Sequence, residues 1–267
     1  MAKIGIVGGS GKLPIMFADA ARQKGEKVVG MGLKGLTDPD LESHVDKFIW
    51  IDPGAIQKAV FAVVAERIGK IALLGKINKD LFFKNNKDLD ADAKTFAGKL
   101  SDMKDYSMLN KAADFLGKFG IQIMDPTPYL GDLLPQKGVL TKRQPSEAEA
   151  ADIEYARSVA GELTRLDIGQ TVAVKNKTVI ALEALEGTDE TMARAGALSK
   201  QGFVVAKVAR PNQDMRFDVP LVGLETVEAL ARAGGTALAL ESNKTFLIDR
   251  SEIIKFADER NIAIVVV

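Results

Sequence analysis

No cysteine occurs among the 267 residues, and there is a single histidine. The first absence excludes disulfides, a thiolate nucleophile and thiolate metal sites. The second removes a Ser–His–Asp triad and a multi-histidine zinc centre from consideration. The lone His44 sits in the polar segment 38–46 and is expected at the surface. Charge of one sign is missing too: 36 Lys and Arg balance 36 Asp and Glu, with no basic or acidic tail. That argues against a nucleic-acid binder relying on a broad positive field. Long apolar runs are also absent, and none approaches the roughly 18–20 residues of a membrane span. The apolar start Lys3-Ile4-Gly5-Ile6-Val7 is broken by a turn at Gly8, so it reads as a strand and not as a signal peptide. Composition leaves peripheral attachment to a membrane open.

What is present is ordinary for a soluble globular chain: 46% hydrophobic and 27% charged residues. The length suits one large or two small domains. The N-terminal half alternates strand candidates at 3–7, 27–32, 47–51, 70–74 and 121–124 with helix candidates at 14–24, 54–68 and 106–118. Helices between short apolar strands predict βαβ units and a Rossmann-like parallel sheet over residues 1–133. Residues 134–145 are rich in polar and breaker residues and are read as a linker. Ser146 and Glu149 then form a capping box for a helix running to about residue 164. Residues 146–267 read as a second α/β domain with a mixed sheet. Apolar runs at 171–174 and 179–182 flank Lys175-Asn176-Lys177-Thr178, a hairpin; a second hairpin is expected from 237–240 to 245–248. Helices are expected at 190–200, 225–233 and 252–260, and a last strand at 263–267.

Chemistry concentrates in Val208-Ala209-Arg210-Pro211-Asn212-Gln213-Asp214-Met215-Arg216-Phe217-Asp218-Val219-Pro220. The prolines stiffen both ends. Asp214 and Asp218 are hard oxygen donors of the kind magnesium takes, and Arg210 and Arg216 offer planar forks that match phosphate. The pattern points to metal-assisted chemistry on a phosphate ester, or else to an Arg–Asp network tying down a connection. A second acidic run, Glu183-Ala184-Leu185-Glu186-Gly187-Thr188-Asp189-Glu190, ends the first hairpin. Thr188 or Asp189 would cap the next helix, leaving backbone N–H groups for an anion. Glu183, Glu186 and Asp189 are candidate metal ligands that converge with the first loop if the two preceding strands are neighbours. The helix dipole alone would explain Asp189 and Glu190.

Near the start, Gly8-Gly9-Ser10-Gly11-Lys12-Leu13-Pro14 joins strand to helix where a doubly wound domain holds a phosphate or nucleotide; a plain tight turn is the alternative. It is not a dinucleotide fingerprint. Pro14 stands where the third glycine belongs, and no acid follows the second strand, which weighs against a nicotinamide-dependent oxidoreductase. Lys76 lies at the C-terminal edge of its strand, on the ligand-binding side of such sheets. Residues 81–108 suggest an amphipathic helix covering the sheet, or an apolar flap over a greasy ligand.

These motifs carry a resemblance over essentially the whole chain. Gly8-Gly9-x-Gly11-x-Leu13-Pro14, Glu186-Gly187-Thr188-Asp189 and Lys207-x-x-Arg210-Pro211-x-Gln213-Asp214-x-Arg216-x-Asp218-x-Pro220 are similar to those of the LpxI-type UDP-2,3-diacylglucosamine pyrophosphatases of Gram-negative bacteria. Arg210 stands where lysine is common in that family, which keeps the charge. The resemblance implies hydrolysis of the substrate pyrophosphate to UMP and 2,3-diacylglucosamine 1-phosphate (lipid X) in lipid A biosynthesis, with water attacking the phosphorus nearer the sugar. It implies a divalent cation, usually Mg2+, a homodimer, and a cytoplasmic protein peripheral on the inner membrane. The essential acid falls on Asp214 or Asp218, with Asp218 favoured. With no usable histidine, the base is a carboxylate or a metal-bound hydroxide. Asp214 and Asp218 are assigned to metal and water, and Glu186 or Asp189 to completing the metal shell. Lys207, Arg210 and Arg216 are assigned to the phosphates, alongside Gln213, Gly187, Thr188 and Lys76. Gly9, Ser10, Gly11, Leu13 and Pro14 would face the uridine nucleotide. The non-enzymatic alternative is a nucleotide- or lipid-binding regulatory protein that binds without turnover.

Overall fold

The computed structural model describes residues 3–76, 105–217 and 219–267. The chain divides into two compact units, Met1–Leu130 with Met215–Phe217, and Gly131–Asp214 with Asp218–Val267. The family of folds is the expected one: a parallel-sheet α/β unit and a mixed-sheet α/β unit.

The first unit contains β1 (Lys3–Gly8), α1 (Leu13–Gln23), β2 (Lys27–Leu33), β3 (Lys47–Ile51), α2 (Ile56–Ala65), β4 (Lys70–Leu74), α3 (Asp105–Gly117) and β5 (Gln122–Ile123). The strands lie in the order β3-β2-β1-β4-β5 and all pairs are parallel. β2 is buried at every position after its first residue, as a parallel strand covered on both faces must be. Pro14 lies in the first turn of α1, where its missing N–H costs nothing. On one face, Val60 and Val63 of α2 pack with Met31, Ile51, Ile71 and Phe217. The strand order reverses between β1 and β4, so the loops that follow these two strands leave from adjacent C-terminal ends. That topological switch point is where open α/β sheets place their ligands.

The second unit is built around a six-stranded sheet in the order β6-β13-β11-β9-β7-β8. Its strands are β6 (Gly138–Val139), β7 (Thr171–Lys175), β8 (Thr178–Leu182), β9 (Phe203–Lys207), β11 (Gly235–Leu240) and β13 (Ala263–Val266). β9, β11 and β13 are parallel to one another, while β6–β13, β7–β9 and β7–β8 are antiparallel. α4 (Glu147–Arg165) covers one face; α5 (Thr188–Ser199), α6 (Leu224–Ala233) and α7 (Arg250–Glu259) cover the other. The period of two in β11 sorts its side chains between them. Ala237 and Ala239 pack with Ile153, Ala156 and Ala160 of α4, and Leu238 and Leu240 fill the opposite core.

Several local expectations are met in atomic detail. The Glu149 N–H donates to Ser146 Oγ at 3.2 Å, and the Ser146 N–H donates to Glu149 Oε2 at 2.8 Å, the two bonds of a capping box. In the β7–β8 hairpin Asn176 and Lys177 both take the left-handed region, at φ 50° and 55°, which a two-residue turn between twisted strands requires. The buried Asp152 carboxylate accepts from both their N–H groups, at 2.8 and 2.6 Å.

Other expectations are corrected. The segments 237–240 and 245–248 do not form a hairpin. Both edges of β11 are taken by β9 and β13, so no position remains for an antiparallel partner. β12 (Phe246–Leu247) pairs instead with β10 (Leu221–Val222), in parallel, as a separate two-stranded ribbon. Residues 134–145 are more than a connection, because they supply β6 to the sheet edge. His44 is half-buried and not simply exposed, with Nδ1 2.7 Å from Asp19 Oδ1. The apolar segment expected to cover the first sheet or an acyl chain falls mainly on residues 77–104, outside the described residues.

Candidate functional site

Consider first the switch point of the parallel sheet. The loops after β1 and β4 are joined by main-chain bonds. Ser10 N–H donates to Lys76 O at 2.9 Å, Lys76 N–H donates to Ser10 O at 3.1 Å, and Gly9 N–H donates to Leu74 O at 2.7 Å. The Ser10 hydroxyl adds a bond to Lys76 O at 3.1 Å. Glycine is required for this approach: a Cβ on Gly9 would lie 2.6 Å from Lys76 O, and one on Gly75, at φ +86°, would lie 2.5 Å from Ser10 O. The structure therefore brings Gly9, Ser10 and Lys76 together. Gly11 takes φ +94° with open space around its Cα, followed by Leu13 and Pro14 in the first turn of α1.

The second cluster lies at one edge of the six-stranded sheet. β9 and β11 end there, β7 begins there, and β8 ends there, because β7 runs antiparallel to both its neighbours. β8 and β9 are not adjacent, since β7 separates them. The two loops meet nonetheless. Lys207 Nζ donates to Thr188 Oγ1 at 3.1 Å and to Leu221 O at 3.3 Å. Thr188 Oγ1 donates to Glu183 Oε1 at 2.9 Å, and Glu183 Oε2 accepts from Gln170 N–H at 3.1 Å. Arg210 Nε donates to Asp167 Oδ1 at 2.9 Å, and Ala209 N–H donates to Glu241 Oε2 at 2.9 Å. Three carboxylates on three separate loops thus hold residues 207, 209 and 210, Glu183 acting through Thr188.

The loop beyond is also structured. Gln213 N–H donates to Arg210 O at 3.0 Å, closing a turn with Pro211 at the position its fixed φ favours. The Gln213 side chain accepts from Arg210 N–H at 3.4 Å, and the Arg216 guanidinium lies 4.9 Å from the centre of the Phe217 ring. Asp214 is half-buried. Asp218 lies outside the described residues. At the loop exit, Phe246 N–H donates to Pro220 O at 2.7 Å, and β10–β12 pairing follows directly.

Not every candidate joins this edge as expected. Gly187, at φ 86°, occupies the N-cap of α5, and neither Thr188 nor Asp189 caps it. The Thr188 hydroxyl is taken by Glu183 and Lys207, so it is not available to the helix. Asp189 and Glu190 stand exposed in the first turn, where the helix dipole favours acids. Glu186 faces Arg194, whose NH2 group lies 2.5 Å away. Its own backbone N–H and the Arg194 bond hold its pKa below the ordinary value. A carboxylate already neutralised by a guanidinium is a poor metal ligand. Among the described residues no group of three or more Asp, Glu or His side chains gathers closely enough to hold a metal. Sequence reasoning passed over Asp167 and Glu241. Neither lies in a motif, and only the strand order brings them beside residues 209 and 210.

A parallel-sheet unit and a mixed-sheet unit define an α/β protein of two compact units. The chain matches the LpxI N-terminal domain over residues 3–133 and the LpxI C-terminal domain over residues 136–265; it belongs to the LpxI family. The UDP-2,3-diacylglucosamine pyrophosphatase LpxI of Caulobacter vibrioides is 29% identical over 269 residues, covering 97% of this chain and 95% of that protein. Two solved structures are distantly similar. The N5-carboxyaminoimidazole synthetase of Staphylococcus aureus complexed with ADP is 16% identical over 65% of this chain and 32% of its own, with a TM-score of 0.28. The biotin carboxylase subunit of pyruvate carboxylase is 11% identical over 75% and 42%, with a TM-score of 0.29. Likenesses of that size carry no argument.

Proposed function

We propose that the protein hydrolyses the pyrophosphate of UDP-2,3-diacylglucosamine, giving UMP and 2,3-diacylglucosamine 1-phosphate for lipid A synthesis. The observation that carries the reading is the match to both LpxI domains in order, together with the clamped Lys207–Arg210 segment. Hydrolysis of a phosphoanhydride needs neutralised charge, a positioned water and a stabilised leaving phosphate. Lys207, Arg210 and Arg216 would hold the phosphate oxygens, with Gln213, Gly187 and Thr188 beside them. Asp214 and Asp218 would hold a divalent cation and orient the water that attacks the phosphorus nearer the sugar. The bond from that phosphorus to the bridging oxygen breaks, and UMP leaves. Bound Mg2+ would supply charge neutralisation and a more acidic water. Gly9, Ser10, Gly11, Leu13, Pro14 and Lys76 would meet the nucleotide.

A homodimer and a peripheral position on the cytoplasmic face of the inner membrane belong to the same proposal. No described helix is long and apolar enough to cross a membrane. The test is UMP release from the diacylated substrate, with magnesium and with EDTA, for the wild type and Asp218→Ala. Metal-dependent turnover that the substitution abolishes is the expected result. Turnover that survives it would move the essential acid to Asp214 or to the loop from Glu183 to Asp189. Binding of lipid or nucleotide without turnover under any metal would refute the enzymatic reading.

A further inference from the structure

Glu183 carries a carboxylate at the sheet edge that neither the metal nor the phosphates require. Both its oxygens are committed inside the protein, one to Gln170 N–H and one to the Thr188 hydroxyl. Its place is set by backbone. Glu183 N–H donates to Thr171 O at 2.9 Å, and a Cβ on Gly169 would fall 2.2 Å from Glu183 O, so only glycine lets the two strands close there. Lys207, two strands away, has an ammonium that donates and never accepts, whereas a carboxylate accepts and never donates. The Thr188 hydroxyl between them has one hydrogen and two lone pairs. Its hydrogen goes to Glu183, one lone pair takes Lys207, and Thr171 Oγ1 lies 3.4 Å away for the other. The chain Lys207 to Thr188 to Glu183 therefore has a single polarity, fixed at both ends.

We infer that Glu183 is a positioning residue: through the Thr188 hydroxyl it fixes the Lys207 ammonium at the C-terminal end of β9. The inference rests on the proposal that Lys207 contacts the substrate phosphates. It replaces a metal role for Glu183 with an electrostatic one. A long, flexible lysine is a poor clamp unless its head group is tethered. The Leu221 O bond ties Lys207 to the loop exit. The Thr188–Glu183 arm anchors it to the start of α5 and the end of β8.

The test is a double-mutant cycle on the full-length protein with Glu183→Gln, Lys207→Met and the pair, reading kcat and KM for UMP release. Glutamine keeps the shape but presents one acceptor and one donor in place of two acceptors, so it cannot keep both the Thr188 and the Gln170 bonds, and the negative charge is gone. Glu183→Gln is expected to lower kcat/KM by about tenfold. In the Lys207→Met background it should change kcat/KM less than twofold, since the group it acts through is gone. An equal loss in both backgrounds would show that Glu183 acts by another route and would overturn the inference. If Glu183→Gln fails to fold, Thr188→Val cuts the same chain at its middle and leaves the Gln170 bond intact; the same non-additivity is expected. If the wild type releases no UMP, the functional proposal falls, and the cycle is read instead in the affinity for inorganic pyrophosphate by calorimetry. Non-additive loss there upholds the positioning role. Additive loss, or no binding of pyrophosphate by the wild type, overturns it.

Discussion

Replacing Glu149 by glutamine tests the electrostatics that join the start of the second unit to its sheet. Arg143 meets Glu149 with two bonds, NH1 to Oε2 at 2.8 Å and NH2 to Oε1 at 2.9 Å, and it also reaches the carbonyl of Thr236 in β11. Among the described residues its buried Nε has no partner, so Glu149 is the principal compensation for a mostly buried charge. Burial by itself would raise the Glu149 pKa. Hydrogen bonds from Arg143, Thr236 and the Ser146 N–H, with the guanidinium charge, outweigh it and bring the value from 4.5 down to about 2. At about 1.36 kcal/mol per pH unit that depression corresponds to roughly 3 kcal/mol. The side chains are 21% and 16% exposed, and solvent screening brings the expected figure to about 2 kcal/mol. A depressed carboxylate stabilises the fold above its unfolded value. The contribution should therefore be complete above pH 4.5 and fade as pH falls toward about 2. Urea unfolding of the full chain, followed by circular dichroism over a pH series, reads the wild-type minus Glu149→Gln difference. Hydrogen exchange at β11 amides assigns the transition to the second unit. A difference below about 0.5 kcal/mol at neutral pH would refute the reasoning, since that is the worth of an exposed pair. So would a difference that stays constant on acidification.

Two further substitutions probe local geometry. Gly9→Ala forces a methyl group to within 2.6 Å of the Lys76 carbonyl; it should cost about 1–3 kcal/mol in the first unit, seen as earlier melting and faster exchange at the Ser10 and Lys76 amides, while wild-type protection there would contradict the pairing. Ser146→Ala removes one bond of the capping box and should cost about 1 kcal/mol, seen as faster exchange in the first turn of α4; unchanged exchange would mean the Glu149 half of the box suffices.

The sequence by itself determined the elements and the two-part plan. Alternating apolar strands and periodic helices, the Ser146–Glu149 signature and the Asn176-Lys177 turn are local patterns. Their information lies within a few residues, where propensity and backbone sterics decide. Only the tertiary structure decided which elements are neighbours. β12 left β11 for β10 because both edges of β11 were filled by β9 and β13, each separated from it in the chain by a helix. Glu186 was claimed by Arg194, nearly two helix turns inside α5, whereas Glu183, identical in chemistry, met Thr188 and the backbone of Gln170. The Gly9–Lys76 closure likewise joins residues far apart in the chain. Composition and spacing name the donors and acceptors. Strand order and direction settle their partners, because hydrogen bonds act over about 3 Å and sequence distance carries no such length.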